Sequence, residues 1–152
     1  MDIVQALRRC LADSFLMYFK AQSYHWNVEG IHFSQYHDFF GDIYAEVYAA
    51  VDDIAERIRI QGAYAPVSLA ELYRDNSVIE DVAMPLTCRD MVIKLDEANT
   101  IVLRSLNAAF AMASEQDNQG LADYLAGRID SHNKHSWMLK ASMKEGYDGA
   151  NR

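Results

Sequence analysis

The stretch Tyr36–Arg59, YHDFFGDIYAEVYAAVDDIAERIR, decides the fold. Tyr36, Phe40, Ile43, Val47, Val51, Ile54 and Ile58 recur at spacings of three and four, the stripe of a long amphipathic helix. Ser34 can cap its start, and Gly62 follows its expected end near Gln61. The helix carries His37, Asp52 and Glu56, and the stretch His25-Trp26-Asn27-Val28-Glu29-Gly30 precedes it. Imidazole and carboxylate together suit iron, zinc or manganese better than calcium.

Three more helices are expected around it. The first spans Asp2 to Asn27, with Asp2 as N-cap and Ile3, Leu7, Leu11, Tyr18 and His25 near one face. From Ala63 to Thr87 the periodicity breaks, except for a capping box at Ser68-Leu69-Ala70-Glu71 that marks one short helix. The third long helix runs from Thr87 to Ser114 on Val92, Leu95, Val102, Leu106, Ala109 and Ala113. After a polar linker, Leu121, Leu125, Ile129, His132, Ser136, Leu139 and Met143 line a fourth, ending at Gly146 with a short loose tail, Tyr147 to Arg152. Four long helices with one long crossover predict an all-α, ferritin-like four-helix bundle with a short helix in the crossover. Residues 1–152 form a single domain on this reading.

Composition narrows the class. Apolar residues make up 51%, yet no run is long enough to cross a bilayer, so no membrane partner is expected. Met1-Asp2-Ile3-Val4 has no leader-like pattern, and Cys10 and Cys88 lack metal-type spacing; both facts suggest the cytoplasm and reduced thiols. A net charge of −8 leaves no basic footprint for nucleic acid and favours attraction of cations.

The metal-type residues do not close into a site within one chain. Bundle-internal di-iron centres use Glu-x-x-His pairs on facing helices. Here the only match, Glu29 to His32, falls in a turn, and His132 has no glutamate one turn away. Asp52 and Glu56 are four apart and share a face. His37 lies on nearly the same face but, at about 1.5 Å rise per residue, roughly 30 Å away along the axis. Metal–ligand bonds are about 2 Å long. Two copies of this helix packed antiparallel would bring His37 of one to Asp52 and Glu56 of the other. The two-fold would then cross near Glu46 and Val47, with residue 41 facing Asp52 of the other copy.

The spacing His25-x(11)-His37-x(14)-Asp52-x(3)-Glu56, with Arg57 following, resembles the signature of the Dps family of mini-ferritins. The segment His132-Asn133-Lys134-His135-Ser136-Trp137-Met138-Leu139 is similar to the family's final helix. The resemblance spans nearly the whole chain. It implies a hollow homo-dodecamer of two-fold dimers with ferroxidase sites at the two-folds. There ferrous iron is oxidised, with hydrogen peroxide as favoured oxidant, and stored as ferric oxide, a protection against oxidative stress. It also implies that His25 and His37 ligate from one subunit and Asp52 and Glu56 from the other, making these four the catalytic and metal residues. Trp26 would lie beside the site, and Asp117 and Asp123 are similar to the family's pore acids.

One position departs from the family pattern: Gly41 stands where an aspartate is usual, and Asp42 is rotated by about 100° from it. Asp42, Asp38 or water would have to fill the role, or one metal position is weak. On this reading Gly41→Asp restores a ligand without harming the fold. The alternative function is a metal-sequestering or DNA-shielding cage with weak or no ferroxidase activity; a third is a zinc-binding protein without redox chemistry. With only Arg8 and Arg9 near the start and no lysine-rich arm, strong DNA binding is not expected. His32 reads as a solvent-exposed turn residue, His132 and His135 as packing and surface residues. Tyr24, Tyr36, Tyr44 and Tyr48 read as helix packing, Glu46 and Asp53 as solvated acids.

Overall fold

Side chains at the helix starts set the element boundaries. In the computed structural model, which describes residues 1–144, Asp2 accepts a hydrogen bond from the Gln5 amide at 2.8 Å and opens α1 (Ile3–Asn27). Ser68 accepts from the Glu71 amide at the start of α3 (Leu69–Asp75), and Thr87 from the Asp90 amide at the start of α4 (Cys88–Glu115). α2 (Phe33–Ile60) begins without such help: His32 holds the cap position with no side-chain bond, and the expected cap Ser34 lies inside the helix. α5 (Gln119–Ser142) is capped by Asn118. It ends four residues before Gly146, which lies outside the described residues, as does the tail from Tyr147.

α1 and α2 form one antiparallel hairpin and α4 and α5 another, with α1 packed against α4 and α3 lying on α1. The described residues contain no strand, and no helix among them is long and apolar enough to cross a membrane. Leu7, Met17, Tyr24, Phe40, Ile43, Ile54, Ile58, Leu95, Leu106, Leu125 and Leu139 are buried on the inward stripes. Fully burying each such side chain contributes roughly 1.5–3 kcal/mol.

Polar groups pin the crossover to α1 and α4. The Asp13 carboxylate, fully buried on α1, accepts from the Ser77 amide and the Ser105 hydroxyl. Burial pushes its carboxyl upward, and these bonds oppose that push. Farther along, Asp81 accepts from the Tyr24 hydroxyl at 2.6 Å and from Lys20 at 3.0 Å, with Lys94 at 3.4 Å. Burial works against the Asp81 carboxylate, but the Tyr24 and Lys20 bonds outweigh it and hold its pKa below the ordinary value. With the crossover fastened on that side, the face of α2 carrying Asp38, Asp42, Tyr48, Asp52 and Glu56 stays uncovered.

Candidate metal centre

The turn between α1 and α2 is tight because Gly30 takes φ +118°, a left-handed conformation that side chains disfavour. The turn brings the last turn of α1 against the start of α2, so His25 and His37 stack with ring centroids 3.7 Å apart and planes 20° from parallel. Phe33 covers the other side of His37 at 5.0 Å.

Each ring is fixed by the other residue's backbone. His25 Nδ1 lies 2.6 Å from the His37 carbonyl, and His37 Nδ1 lies 2.7 Å from the His25 carbonyl. A carbonyl oxygen only accepts, so each Nδ1 carries a proton and donates it. The His25 carbonyl is one of the last four of α1, which no helical amide reaches, so His37 also caps the helix. In the neutral rings both Nε2 atoms are therefore left with lone pairs, and neither makes a hydrogen bond to a described residue. A carbonyl holding Nδ1–H fixes the tautomer and the ring orientation that a metal-binding imidazole needs.

Gly41 is what lets the rings reach this position. A Cβ there would stand 3.1 Å from His25 Nδ1 and 3.2 Å from Cε1, closer than side chains normally pack. The gain in helix propensity expected of Gly41→Asp is opposed by this contact, because a side chain at 41 presses on His25. Asp38 and Asp42 are exposed, and no described contact ties either to the rings.

Asp52 and Glu56 lie on the exposed face of α2, away from the histidines. The Asp52 charge beside it pushes the Glu56 carboxyl upward. A cation between the two would relieve that repulsion. Among the described residues, no three His, Cys, Asp or Glu side chains come together closely enough to hold a metal. The sequence-derived set thus appears as two halves, an imidazole pair and a carboxylate pair, at opposite ends of one helix.

The other residues singled out in the sequence fall elsewhere. Trp26 is 58% exposed and stacks edge-on with Phe19 at 6.3 Å. His32 is exposed at the α2 cap. Asp117 sits in the α4–α5 turn with φ +53°, while Asp53 and Asp123 border an open cleft of about 400 Å³ between α2 and α5.

Two readings are corrected in the same region. Glu46 is not an ordinary solvated acid, and His135, only 5% exposed, is not a surface residue. Arg128 donates to both Glu46 oxygens and to His132 Nε2, and His135 Nε2 lies 2.8 Å from Glu46 Oε1. His132 Nδ1 donates to Asn99 Oδ1 at 2.7 Å, and Asn99 Nδ2 donates back to the His132 carbonyl. Burial opposes the Glu46 charge, but the His135 and Arg128 bonds outweigh it and hold the carboxyl well below its usual range. Burial, then the neighbouring Arg128 and His135, lowers His132 to about 3. Arg128 was missed in the sequence, though its i, i+4 spacing to His132 places both on the inward face of α5.

Comparison with known proteins matches the chain, in sequence and in fold, to a family. The ferritin-like domain profile matches residues 4–146. DNA protection during starvation protein 2 of Bacillus anthracis is 29% identical over 144 residues, covering 95% of this chain and 98% of the relative. The crystal structure of the Dps protein of Vibrio cholerae superposes with TM-score 0.89 at 26% identity, over 93% of this chain and 89% of that one. That protein is described as a member of a broad superfamily of ferritin-like diiron-carboxylate proteins. Dps of Thermosynechococcus elongatus superposes with TM-score 0.91 at 25% identity, over 95% and 92% of the two chains.

Proposed function

Because the chain belongs to the ferritin-like domain family, we propose that it binds ferrous iron between subunits, oxidises it and stores the ferric product. The observation that carries this reading is the reciprocal Nδ1–carbonyl pairing of the stacked His25 and His37 rings, which leaves both Nε2 lone pairs without a described partner. Iron is the substrate. Two imidazoles alone hold it weakly; the missing hard ligands are Asp52 and Glu56 of a second copy, packed antiparallel along α2 about a point near Glu46 and Val47. The carboxylate pair would hold the ferric product more tightly than the ferrous ion, which favours oxidation. Hydrogen peroxide is the oxidant in this proposal, and a dodecameric shell, as the Dps resemblance implies, is the store.

A second reading, a cage that sequesters metal with little oxidation, rests on Gly41. No carboxylate stands beside the imidazoles at that position. Stopped-flow oxidation of ferrous iron, with and without peroxide, separates the two. Sizing with light scattering tests the assembly. His37→Ala should lower the initial rate at least 10–100-fold, since disturbing even the groups behind a ligand has effects of that size. A wild-type rate no faster than free iron, or a stable monomer, would sink the ferroxidase reading.

A further inference from the structure

Two arginines stand apart from the rest. Arg8 bonds the Tyr64 carbonyl and faces Glu71, Arg57 stacks on Tyr124, and Arg59 bonds the Ala63 carbonyl. Arg74 pairs with Asp75, Arg128 pairs with Glu46, and Arg89 is engaged as well. Among the described residues, Arg9 and Arg104 have no hydrogen bond, ion pair or ring contact. The chain holds 22 acidic against 14 basic residues, so carboxylate partners are plentiful. One exposed arginine without a partner is ordinary solvated surface; two that meet at one cavity are not.

Arg9 and Arg104 do meet. A cavity of about 320 Å³ opens between α1, α4 and the crossover, bounded by Ala6, Arg9, Ser77, Ile101, Arg104 and Ala108. Its space has a source in the sequence. Ala6 stands three before Arg9 on α1, and Ala108 four after Arg104 on α4. On each helix an alanine therefore shares the face of the arginine and leaves room beside it. Asp13 is fully buried, with its oxygens bonded to the Ser77 amide and the Ser105 hydroxyl. Its charge offsets part of that of Arg9 and leaves Arg104 uncompensated. The Ser77 hydroxyl has no described partner and remains available as a donor. None of the lining residues belongs to α2, so pairing of two copies along α2 does not draw on this cavity.

We propose that this cavity binds a phosphate group as its dianion, either inorganic phosphate or a small phosphomonoester. Arg9 and Arg104 form its two cationic walls, and the Ser77 hydroxyl adds a third donor. A guanidinium fork meets two phosphate oxygens at once. Two such cations repel one another across an empty space, and a dianion between them turns that repulsion into attraction. The volume lies at the low end of small-molecule sites, which run from roughly 300 to 1,000 Å³. Duplex DNA fits less well, because it calls for a row of cations along a surface, and here two converge in a recess of an acidic chain.

The test uses the assembled full-length protein, free of iron, in a chloride buffer at neutral pH. Inorganic phosphate, glycerol 1-phosphate and a duplex DNA are each titrated and followed by calorimetry. The wild type should bind phosphate saturably, one per chain. Arg9→Gln and Arg104→Gln should each weaken that binding at least tenfold, the loss of a charge-assisted hydrogen bond. Arg9→Lys keeps the charge without the fork and should lose less than Arg9→Gln. Lys134→Gln, on α5, should bind as wild type. Sizing and circular dichroism should be unchanged in all variants. Tighter binding of glycerol 1-phosphate than of inorganic phosphate assigns the site to a phosphomonoester, and the reverse order to the free anion. No saturable phosphate binding in the wild type, or undiminished binding with Arg9 and Arg104 both replaced by Gln, overturns the proposal. So does DNA binding that needs both arginines without binding of either small phosphate. Iron-free protein is used throughout, so none of these outcomes bears on the ferrous-oxidation reading.

Discussion

The bundle holds two histidine pairs that share a residue type and differ in what surrounds them. His25 and His37 are half-buried; their Nδ1 atoms are tied to backbone carbonyls, and their Nε2 atoms bond no described residue. His132 and His135 are buried and face charge. His132 spends both nitrogens on Asn99 and Arg128, and His135 spends Nε2 on Glu46, leaving only an enclosed Nδ1. A histidine is made available to a metal by what its other nitrogen bonds to and by access, not by its presence on a helix. The second pair, with Glu46 and Arg128, ties α2 to α5 instead.

The most severe way to break that contrast is to attack the closed network. Arg128→Ala strands the Glu46 carboxylate and His132 Nε2, and removing one partner of such a pair costs about 3 kcal/mol. Denaturant unfolding should show that loss, while spectroscopic titration with cobalt(II) at the His25–His37 pair should stay near wild type. Equal losses in both would mean that the two regions are one unit.

Acid should find the same network. His132 is lowered to about 3 from its ordinary value of 6.5, so between those values the unfolded chain binds a proton that the folded chain refuses. Stability therefore falls as pH drops through that window, by up to about 1.4 kcal/mol per pH unit for this one group. The Glu46 carboxyl is depressed, so its stabilising contribution is present above the ordinary glutamate range and disappears as pH falls below it. Unfolding curves at a series of pH values from neutral downward should show this slope, and His132→Gln should flatten it. An equal slope in the variant would place the acid sensitivity elsewhere.

Gly41→Ala sharpens the comparison at the open pair. The helix gains about 1 kcal/mol from alanine, while crowding of His25 opposes it by about 1–3 kcal/mol. Net stability should stay level or fall by up to about 2 kcal/mol. Displacing His25 from the His37 carbonyl should still slow iron oxidation roughly tenfold, the lower end of what disturbing the group behind a metal-binding imidazole costs. Gly41→Asp carries the same crowding plus an oxygen ligand. If it is faster than Gly41→Ala, a carboxylate at this position outweighs the displaced ring. An unchanged rate in both would show that His25 tolerates the shift.

Asp52→Asn should have the smallest effect on folding. It removes the like charge that pushes Glu56 upward, so stability should stay level or rise slightly, while iron oxidation falls. A marked loss of stability would show that Asp52 has a structural partner.

Much of the fold was legible in advance because apolar spacing, caps and glycine stops act locally. Asp2 and Ser68 cap the helices they were expected to cap, Thr87 caps the helix expected to start with it, and Gly62, at φ +89°, ends α2. Ser34 misled because the turn after Gly30 starts the helix two residues earlier, with His32 at the cap and no side-chain bond there. For the proposed site, the sequence supplied His25, His37, Asp52 and Glu56 as candidates and the separation between the two ends of α2 that carry them, since helix rise converts residue number into distance.

The remaining facts depend on contacts between helices, which spacing along one helix cannot express. The sequence by itself determined four long amphipathic helices, the crossover, and the placement of His37 roughly 30 Å from Glu56 on one rigid rod. Only the tertiary structure decided that His25 and His37 stack with their Nδ1 protons on each other's carbonyls. It alone assigned Gly41 to the clearance this needs, and Glu46 to a charge network with Arg128 and His135. The physical reason is that a hydrogen bond or a close approach between helices is set by how two backbones meet. That meeting is fixed by the packed core as a whole rather than by the residues that happen to touch.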